Sequence, residues 1–394
     1  MNTKIKVVRS STIAQSLDVL LKGQLGFLNE HFEVIAVSGY DHHLENVSKR
    51  EKVKIKGLVM ERKISLLKDL YSLFLLIRYF KSERPIIVHS ITPKAGLLTM
   101  VAGKIAGVPI RLHTFTGLIF PTKKGFIQKV LIKMDKVLCW AATNIYPEGN
   151  GVKNDLISYK ITKKPLKVLA NGNVNGIDLK FFNPDNFAGA DIDETKKGLN
   201  IDKDTFVFIF IGRLVADKGL NELVSAFKKL LDTHGDKISP KLILIGSHEP
   251  KLDPLSPQTL NEIESNNNII SLGFKEDIRP YLSISNAMVF PSYREGFPNV
   301  VIQAGAMGLP CIVTDINGSN ELITNSINGT IIKVKDEGSI LLAMSNMMND
   351  KEYYKNRKIS IRTLIAEKYT NEIVWSALIK EYRDLLNEKG VENV

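Results

Sequence analysis

The chain has 394 residues, of which 44% are hydrophobic and 24% are charged. That length suits two globular domains better than one, and the composition excludes the fibrous, low-complexity and intrinsically disordered classes. The formal net charge of +11 fits an anionic partner, whether a diphosphate, an anionic lipid headgroup or a nucleic acid, and charge alone does not choose among them.

The cysteines and the N-terminal segment predict a reducing, cytoplasmic location. Cys139 and Cys311 both lie in apolar runs, KVLCWAA and GLPCIVT, which predicts buried thiols rather than a disulfide. The opening MNTKIKVVRSS has no secretory h-region. The longest apolar stretch, residues 70–80, is interrupted by Ser72 and Arg78 and is much shorter than the roughly 20 residues of a spanning helix. We therefore expect no transmembrane segment.

In the first half, short β-branched runs alternate with amphipathic segments of helical length. This alternation is typical of βα units that build a parallel sheet. The predicted strands are residues 5–9, 32–38, 54–60, 86–90, 109–114, 144–146 and 167–170.

The loop at residues 10–16 offers small hydroxyl side chains, among them Thr12 and Ser16, which suit hydrogen bonds to a sugar. Ser16 can alternatively be the N-cap of a helix over residues 17–28. His113 is placed at the end of the strand 109–114, where an imidazole could contact a ligand. The alternative for His113 is a structural histidine with satisfied hydrogen bonds.

Two helical segments, residues 63–81 and 121–136, mix Lys and Arg with Leu, Ile and Phe. Such a mixture is typical of helices that lie at a membrane surface. The alternative is an ordinary sheet-covering helix with a basic outer side.

A segment rich in Asn, Gly, Asp and Pro, NGNVNGIDLKFFNPDNFAGAD, separates the first series of strands from a second. It predicts a linker over residues 172–200, between a first domain formed by 1–171 with 372–394 and a second formed by 201–371. The last helix is expected to pack on the first domain. The strands predicted for the second series are residues 206–212, 241–246, 269–272, 287–291, 310–314 and 329–333.

This order predicts an α/β fold of two doubly wound, Rossmann-like domains. Ligands of open parallel sheets bind beyond the carboxyl ends of the strands. With two such sheets facing each other, a central cleft is the expected site.

The first loop of the second domain reads GRLVADKG, residues 212–219. It follows a strand and precedes a helix, so backbone amides and the helix N-terminus can face an anion. Arg213 offers a bidentate fork and Lys218 a point charge, and together they suit a diphosphate. The loop matches neither a Walker motif nor a dinucleotide fingerprint. The alternative is a solvated basic turn.

A second motif, PSYREGFPNVVIQAGAMGLP, covers residues 291–310. Glu295 lies in its Gly/Pro loop and could accept hydrogen bonds from sugar hydroxyls; the alternative is an exposed loop carboxylate. The amides of Phe297, Asn299 and Val300 are placed at a helix start. Gln303, about two turns farther on, is expected to face a ribose.

The motifs IGRLVADKG, LGFKEDI and SNAMVFPSYREGFPNVVIQAGAMGLPCIVT, with the linker NGNVNGIDLKFFNP, resemble the retaining glycosyltransferases of family 4, which have the GT-B fold. The resemblance covers essentially the whole chain. It implies that Arg213 and Lys218 hold the donor diphosphate, that Glu295 contacts the transferred sugar, and that His113 contacts the donor sugar. The other positions it implies for the donor are Gly212, Phe274, Lys275, Gly296, Phe297, Pro298, Asn299 and Gln303.

In the same resemblance, Thr12 and Ser16 contact the acceptor, and the nucleobase lies near Gly273 and Phe274. The chain departs from the family at Gln303, where a second glutamate is usual. Glutamine can still bond ribose hydroxyls, so altered nucleotide affinity is expected rather than lost activity.

The resemblance implies metal-independent transfer, without a cofactor, from a nucleotide sugar, UDP-linked, to a glycan or polyprenyl-diphosphate-linked acceptor in capsular polysaccharide or lipopolysaccharide synthesis. Acid pairs at 191–193 and 202–204 are interpreted as solvated charges, so no metal site is predicted. Contact with the anionic inner face of the membrane is expected, and nucleic acid is not, because the basic segments lack interleaved aromatics. Two alternatives remain, a sugar-nucleotide epimerase of similar architecture and a non-catalytic binder.

Overall fold

The computed structural model describes residues 4–61, 65–234, 240–249 and 253–391. The chain forms two compact units, one of residues Met1–Gly176 with Asn371–Val394 and the other of Ile177–Thr370. Within the described ranges, no helix combines the length and hydrophobicity that crossing a bilayer requires.

The first unit is built on a six-stranded parallel sheet in the order β3-β2-β1-β4-β5-β6. Val7 on the central strand pairs with Val34 on one side and Ile87 on the other. Valine and isoleucine suit such strands because both faces are covered. The strands are β1 (Lys6–Ile13), β2 (Glu33–Gly39), β3 (Lys54–Leu58), β4 (Ile87–Ser90), β5 (Ile110–Phe115) and β6 (Asn144–Pro147).

Six of the seven strands predicted here are confirmed, and the one at residues 167–170 is wrong. That segment takes part only in isolated bridges, Ile145 with Leu166 and Ala170 with Gly172. Ala170 has a φ of 48°, and this left-handed conformation is incompatible with a continuous extended strand.

The helices of this unit cover the sheet. They are α1 (Ala14–Leu20), α2 (Gln24–His31), α3 (His42–Glu51), α4 (Leu66–Glu83), α5 (Pro93–Ala106), α6 (Gly125–Ala141) and α7 (Asn150–Ser158). The two basic amphipathic segments are confirmed as helices α4 and α6, although residues 63–64 of the first lie outside the described ranges. The single helix predicted over 17–28 is wrong, because Gly23, with a φ of 83°, separates α1 from α2.

The second unit repeats the same winding in a parallel sheet of order β12-β11-β10-β7-β8-β9. Its first strand is again central, and the topology reverses between that strand and β10. All six predicted strands are confirmed, and so is the doubly wound α/β class. They are β7 (Val207–Ile211), β8 (Lys241–Ile245), β9 (Ile269–Ser271), β10 (Ala287–Phe290), β11 (Cys311–Thr314) and β12 (Gly329–Ile332).

One helix of the second unit precedes its first strand, others lie between its strands, and three come after the last. They are α8 (Gly189–Gly198), α9 (Leu220–His234), α10 (Pro257–Ser265), α11 (Arg279–Ile284), α12 (Asn299–Ala306), α13 (Ser319–Leu322), α14 (Glu337–Asn349), α15 (Lys351–Lys355) and α16 (Lys358–Tyr369). The last helix, α17 (Asn371–Glu388), returns to the first unit and buries Leu378 and Tyr382 in the same core as Val7.

A buried polar network fastens α17 to the first sheet. Arg9, 1% exposed, donates at 3.0 Å to the Tyr382 hydroxyl and at 3.0 Å to Gln24 Oε1, and it also contacts His89 Nδ1. Because arginine only donates, Nδ1 is the accepting nitrogen of His89, and Nε2–H donates to Thr114 Oγ1 at 2.8 Å. Burial and the neighbouring Arg9 hold the pKa of His89 well below its usual value, so this imidazole is neutral.

Candidate active site

The two motif loops of the second unit leave adjacent strands at the carboxyl edge of the sheet. Residues 212–219 follow β7 and residues 291–299 follow β10, and these strands flank the point where the topology reverses. Gly219, with a φ of 72°, lies so close to the second loop that a Cβ there would be 2.1 Å from the Pro291 carbonyl oxygen. Only glycine permits this approach.

The close approach brings Lys218 and Glu295 together. The Lys218 ammonium contacts Glu295 Oε1 in a pair whose side chains are 15% and 16% exposed. The same ammonium lies 5.4 Å from the centroid of the Phe290 ring. The basic loop (residues 212–219) and the acidic loop (residues 291–299) therefore form one site, and the pair of Lys218 with Glu295 joins them.

Further contacts between the two loops were missed by the sequence analysis. The Tyr293 amide donates to the Asp217 carbonyl at 2.9 Å, and Arg294 pairs with Asp217 Oδ2 at 2.9 Å. The Tyr293 hydroxyl donates to Glu222 Oε1, in the first turn of α9, at 2.6 Å. Burial and this carboxylate raise the pKa of Tyr293, so the phenol keeps its proton.

Arg213 lies on the same edge but is more exposed, at 42% of its side chain, and pairs with Glu249 Oε2 at 3.0 Å. Glu249 belongs to the loop after β8 and was not among the predicted residues. A pair this exposed contributes little to stability, so a bound anion can replace Glu249 at low cost. Gly212 continues the strand, because its amide donates to the Ile245 carbonyl at 2.9 Å.

The loop after β9 lies beside the loop after β8 on the same edge of the sheet. The Gly246 amide donates to the Gly273 carbonyl at 2.9 Å, which places residues 273–275 beside the loop after β8. Phe274 is 73% exposed, and Lys275 is half-buried. An aromatic face held open to solvent at a sheet edge can stack on a planar ring.

Helix α12 begins at Asn299, directly after the acidic loop, with Pro298 as its N-cap and no side-chain cap. The N-terminus of a helix favours an anion, although the Val301 amide already donates to the Pro298 carbonyl at 3.1 Å. Gln303 is half-buried and lies one turn into α12, not two as predicted, because residues 295–298 are not helical. Phe297 is buried against Tyr369, which leaves its backbone rather than its ring for a ligand.

The loop after β11 supports the acidic loop from the other side. Gly318 has a φ of 73°, and a Cβ there would lie 2.1 Å from the Gly296 carbonyl oxygen. The backbone of Gly296 therefore cannot move toward this neighbour without displacing it.

His113 lies within β5, two residues before its end, and its side chain is 0% exposed. Nδ1 is 2.8 Å from Ser90 Oγ, the ring packs edge-on against Phe115, and Gly96 lies against its edge. Burial lowers the pKa of His113 to about 3, so the ring is neutral. Nε2 is buried and has no hydrogen-bond partner among the described residues. The alternative of a histidine with satisfied hydrogen bonds is therefore not met, and the contact of His113 with the donor sugar stays a prediction.

Thr12 and Ser16 lie in the first unit. Thr12 falls inside β1, which runs to Ile13, and its hydroxyl is 2.9 Å from Thr92 Oγ1 and accepts the Ala95 amide at 3.1 Å. Its hydrogen bonds thus join β1 to α5. Ser16 lies inside α1, whose N-cap is Ile13, so the N-cap alternative for Ser16 is wrong.

Within the described ranges, no three His, Cys, Asp or Glu side chains are grouped as a metal would require. The cationic side chains on this edge include Lys218, Arg213, Arg294 and Lys275. Fixed cations of this kind can stabilise negative charge on a ligand.

This chain is similar in sequence to known glycosyltransferases. Residues 191–363 match the family described as Glycosyl transferases group 1. The capsular polysaccharide biosynthesis glycosyltransferase CapM of Staphylococcus aureus is 31% identical over 97% of this chain and 98% of its own length. An Escherichia coli relative, UDP-Gal:alpha-D-GlcNAc-diphosphoundecaprenol alpha-1,3-galactosyltransferase, is 30% identical over 74% of this chain and 73% of its own.

Two solved structures agree with the fold. A glycosyltransferase from Rickettsia africae superposes with a TM-score of 0.79 at 18% identity, covering 98% of this chain and 99% of its own. Anabaena HepE in complex with UDP and glucose gives 0.79 at 14% identity, covering 96% and 100%. At these identities the likeness concerns architecture, and it confirms the predicted GT-B fold.

Proposed function

Because the chain belongs to the glycosyl transferases of group 1 and is a glycosyltransferase, we propose that it transfers a hexosyl or N-acetylhexosaminyl group from a UDP-sugar to a hydroxyl of a glycan or lipid-linked acceptor. The proposed process is the synthesis of a surface polysaccharide. The names of the two relatives support this, since one is a capsule enzyme and the other names both UDP-Gal and a diphosphoundecaprenol-linked sugar. Membership of the family leaves the epimerase and the non-catalytic binder without support.

The observation that carries the proposal is the pairing of Lys218 with Glu295 at the reversal point of the second sheet. In the free protein the ammonium and the carboxylate neutralise each other. When a nucleotide sugar binds, its negatively charged diphosphate can replace Glu295 and Glu249 as the partner of Lys218 and Arg213. Glu295 is then free to accept hydrogen bonds from hydroxyls of the sugar.

This exchange suggests how the reaction proceeds. The acceptor hydroxyl oxygen forms a bond to the anomeric carbon on the face from which the diphosphate leaves. As the bond from that carbon to the phosphate oxygen breaks, the departing phosphate takes the hydroxyl proton, and the anomeric configuration is retained. Lys218, Arg213 and the N-terminus of α12 stabilise the negative charge that grows on the leaving group. No metal ion or cofactor is needed for these steps.

Direct assay tests the proposal. Purified enzyme is incubated with a panel of UDP-hexoses and UDP-N-acetylhexosamines and with a polyprenyl-diphosphate-linked monosaccharide, and the product is analysed by mass spectrometry and anomeric NMR. A disaccharide with retained anomeric configuration is expected. Conversion of the donor to another sugar nucleotide without acceptor, or no product with any donor, would contradict it.

Gln303 and Phe274 are proposed to hold the nucleoside, with the amide on the ribose hydroxyls and the ring against the base. Gln303→Ala is expected to raise the Kd for UDP about three- to tenfold, the loss of one or two neutral hydrogen bonds, while kcat changes little. Titration calorimetry with UDP measures it. Gln303→Glu, which restores the usual family residue, is the matched variant, and an unchanged Kd in Gln303→Ala would remove Gln303 from the site.

Peripheral contact with an anionic membrane is proposed for the first unit, at the cytoplasmic face. Helix α5 contacts both α4 and α6, so the exposed sides of these helices form one surface. Its lysines include Lys124, Lys129 and Lys133, all exposed. Its exposed apolar side chains, which no core residue covers within the described ranges, are Leu66, Leu67, Leu70, Phe74, Phe126 and Ile127. Apolar side chains among lysines suit the headgroup boundary of a bilayer.

Charge reversal tests this contact. The triple variant Lys124→Glu, Lys129→Glu, Lys133→Glu is expected to lose most co-sedimentation with phosphatidylglycerol-containing liposomes at low salt, because each basic residue contributes about 1 kcal/mol near an anionic surface. Reversal of Lys197, Lys355 and Lys358, exposed lysines of the second unit, is the control of equal charge. Equal loss in both variants would indicate a response to net charge alone.

A further inference from the structure

Tyr293 is the residue of the acidic loop whose side chain bonds to helix α9 among the described contacts, whereas Arg294 and Glu295 pair with the loop after β7. Its hydroxyl donates to Glu222 Oε1 at 2.6 Å, and its amide donates to the Asp217 carbonyl at 2.9 Å. Glu222 lies in the first turn of α9, so the loop is anchored to a long helix. Tyr293 is two residues before Glu295 in the same loop.

We propose that Tyr293, held by Glu222, is a positioning residue that fixes Glu295 for its contact with the transferred sugar. This inference rests on the proposed function of Glu295. In this proposal, neither Tyr293 nor Glu222 contacts the phosphates of the donor. Their role is to keep the acidic loop in register with the Lys218 loop when the ion pair between them is exchanged for donor contacts.

The surroundings of Glu222 explain why this hydrogen bond matters. Within the described residues, Glu222 Oε2 is buried without a hydrogen-bond partner, so the Tyr293 hydroxyl is the donor on which this carboxylate depends. A carboxylate in the first turn of a helix is favourably placed, and a hydrogen bond to a charged acceptor is stronger than a neutral one. The ammonium of Lys335 lies over the Tyr293 ring, with Nζ 4.7 Å from the ring centroid.

The charges facing the phenol also keep it protonated. Glu222, Asp253 and Asp217 all raise its pKa, together with burial. The Tyr293 hydroxyl therefore donates to Glu222 throughout the pH range of an ordinary assay, and this hydrogen bond is kept near neutral pH.

The test compares two ligands in one variant. UDP binds through Lys218 and Arg213, whereas a UDP-hexose adds the contacts of Glu295, so the ratio of their Kd values isolates the sugar contribution. Titration calorimetry is run in the absence of acceptor with UDP and with a panel of UDP-hexoses and UDP-N-acetylhexosamines. The sugar nucleotide that wild type binds most tightly is then used, and it is called the UDP-hexose below. Tyr293→Phe is expected to keep the Kd for UDP within about twofold and to raise that for the UDP-hexose about tenfold, the size of one charge-assisted hydrogen bond.

Two further variants sharpen the comparison. Glu222→Gln keeps an oxygen that accepts from the phenol but removes its charge, so it should raise the Kd for the UDP-hexose less than Tyr293→Phe does. Tyr353→Phe is the matched control, since the Tyr353 hydroxyl also donates at 2.6 Å, to the Ser326 carbonyl, elsewhere in the same unit.

The outcomes separate the inference from the function on which it rests. If Tyr293→Phe loses affinity for UDP and UDP-hexose in parallel, or for neither, Tyr293 has only a structural role and the inference is overturned. If wild type itself gains nothing from any sugar of the panel, the proposed role of Glu295 fails and the inference fails with it. A loss confined to the UDP-hexose supports both.

Discussion

Glu295→Gln is expected to reduce sugar transfer by at least about 100-fold, a loss comparable to removing one fixed charge-stabilising group from an active site. The substitution keeps the size of the side chain and removes its charge. Glutamine accepts weaker hydrogen bonds from sugar hydroxyls, and it no longer pairs with Lys218, which Glu295 contacts in the free protein. UDP should still bind, because its diphosphate relies on Lys218 and Arg213.

The matched control is Glu262→Gln. Glu262 also pairs with a lysine of the same unit, with Oε2 2.9 Å from Lys228 Nζ, but it lies on α10, away from the motif loops. Transfer is measured as initial rate at saturating donor, and UDP affinity by calorimetry. If Glu295→Gln and Glu262→Gln both kept wild-type rates, Glu295 would not contact the reacting sugar.

The strands of both sheets could be predicted because each is a short run of β-branched or aromatic residues between turn signals. FVFIFI before Gly212 and MVF before Pro291 are buried on both faces, so their sequences carry no polar interruption. The repeated order of strands then determines which loops share an edge. Lys218 and Glu295, 77 positions apart, were assigned to one donor by the resemblance to family 4 glycosyltransferases, since no strand order was predicted from the sequence.

The partners of the site residues could not be predicted, because they depend on tertiary distances. Glu249 and Glu222 read as ordinary charged residues in the sequence, yet one pairs with Arg213 and the other accepts from Tyr293. Their positions were a weak indication of a role in the site. Glu249 lies in the loop that follows β8, and Glu222 lies at the start of the helix that follows β7.

His113 and Ser16 show two limits of residue type as a guide. His113 lies near the end of the predicted strand, but its ring is buried and α5 covers it through Gly96, and such packing depends on tertiary structure that the pattern does not contain. Ser16 is a favoured N-cap residue, but α1 begins two residues before it, because pattern alone fixes helix boundaries poorly.

Lys218→Met is expected to be at least as damaging as the change at Glu295, and to act on a different ligand. The Lys218 ammonium is less exposed than the Arg213 guanidinium, at 15% against 42% of the side chain, so its attraction for a phosphate is less screened by water. Its loss should raise the Kd for UDP about tenfold or more, in line with a charge-assisted hydrogen bond. The rate of transfer should fall about 1000-fold, because the leaving diphosphate loses its main cation.

Lys228→Met, which breaks the matched pair with Glu262, controls for the loss of a lysine elsewhere in the unit. The pattern across variants is more informative than either loss alone. Lys218→Met should weaken UDP itself, whereas Glu295→Gln should spare UDP and weaken only the sugar nucleotide. Since the two side chains contact each other in the free protein, the double variant should lose less than the sum of the single free-energy changes. Wild-type UDP affinity in Lys218→Met would show that the diphosphate binds elsewhere, and the assignment of the whole edge would then be wrong.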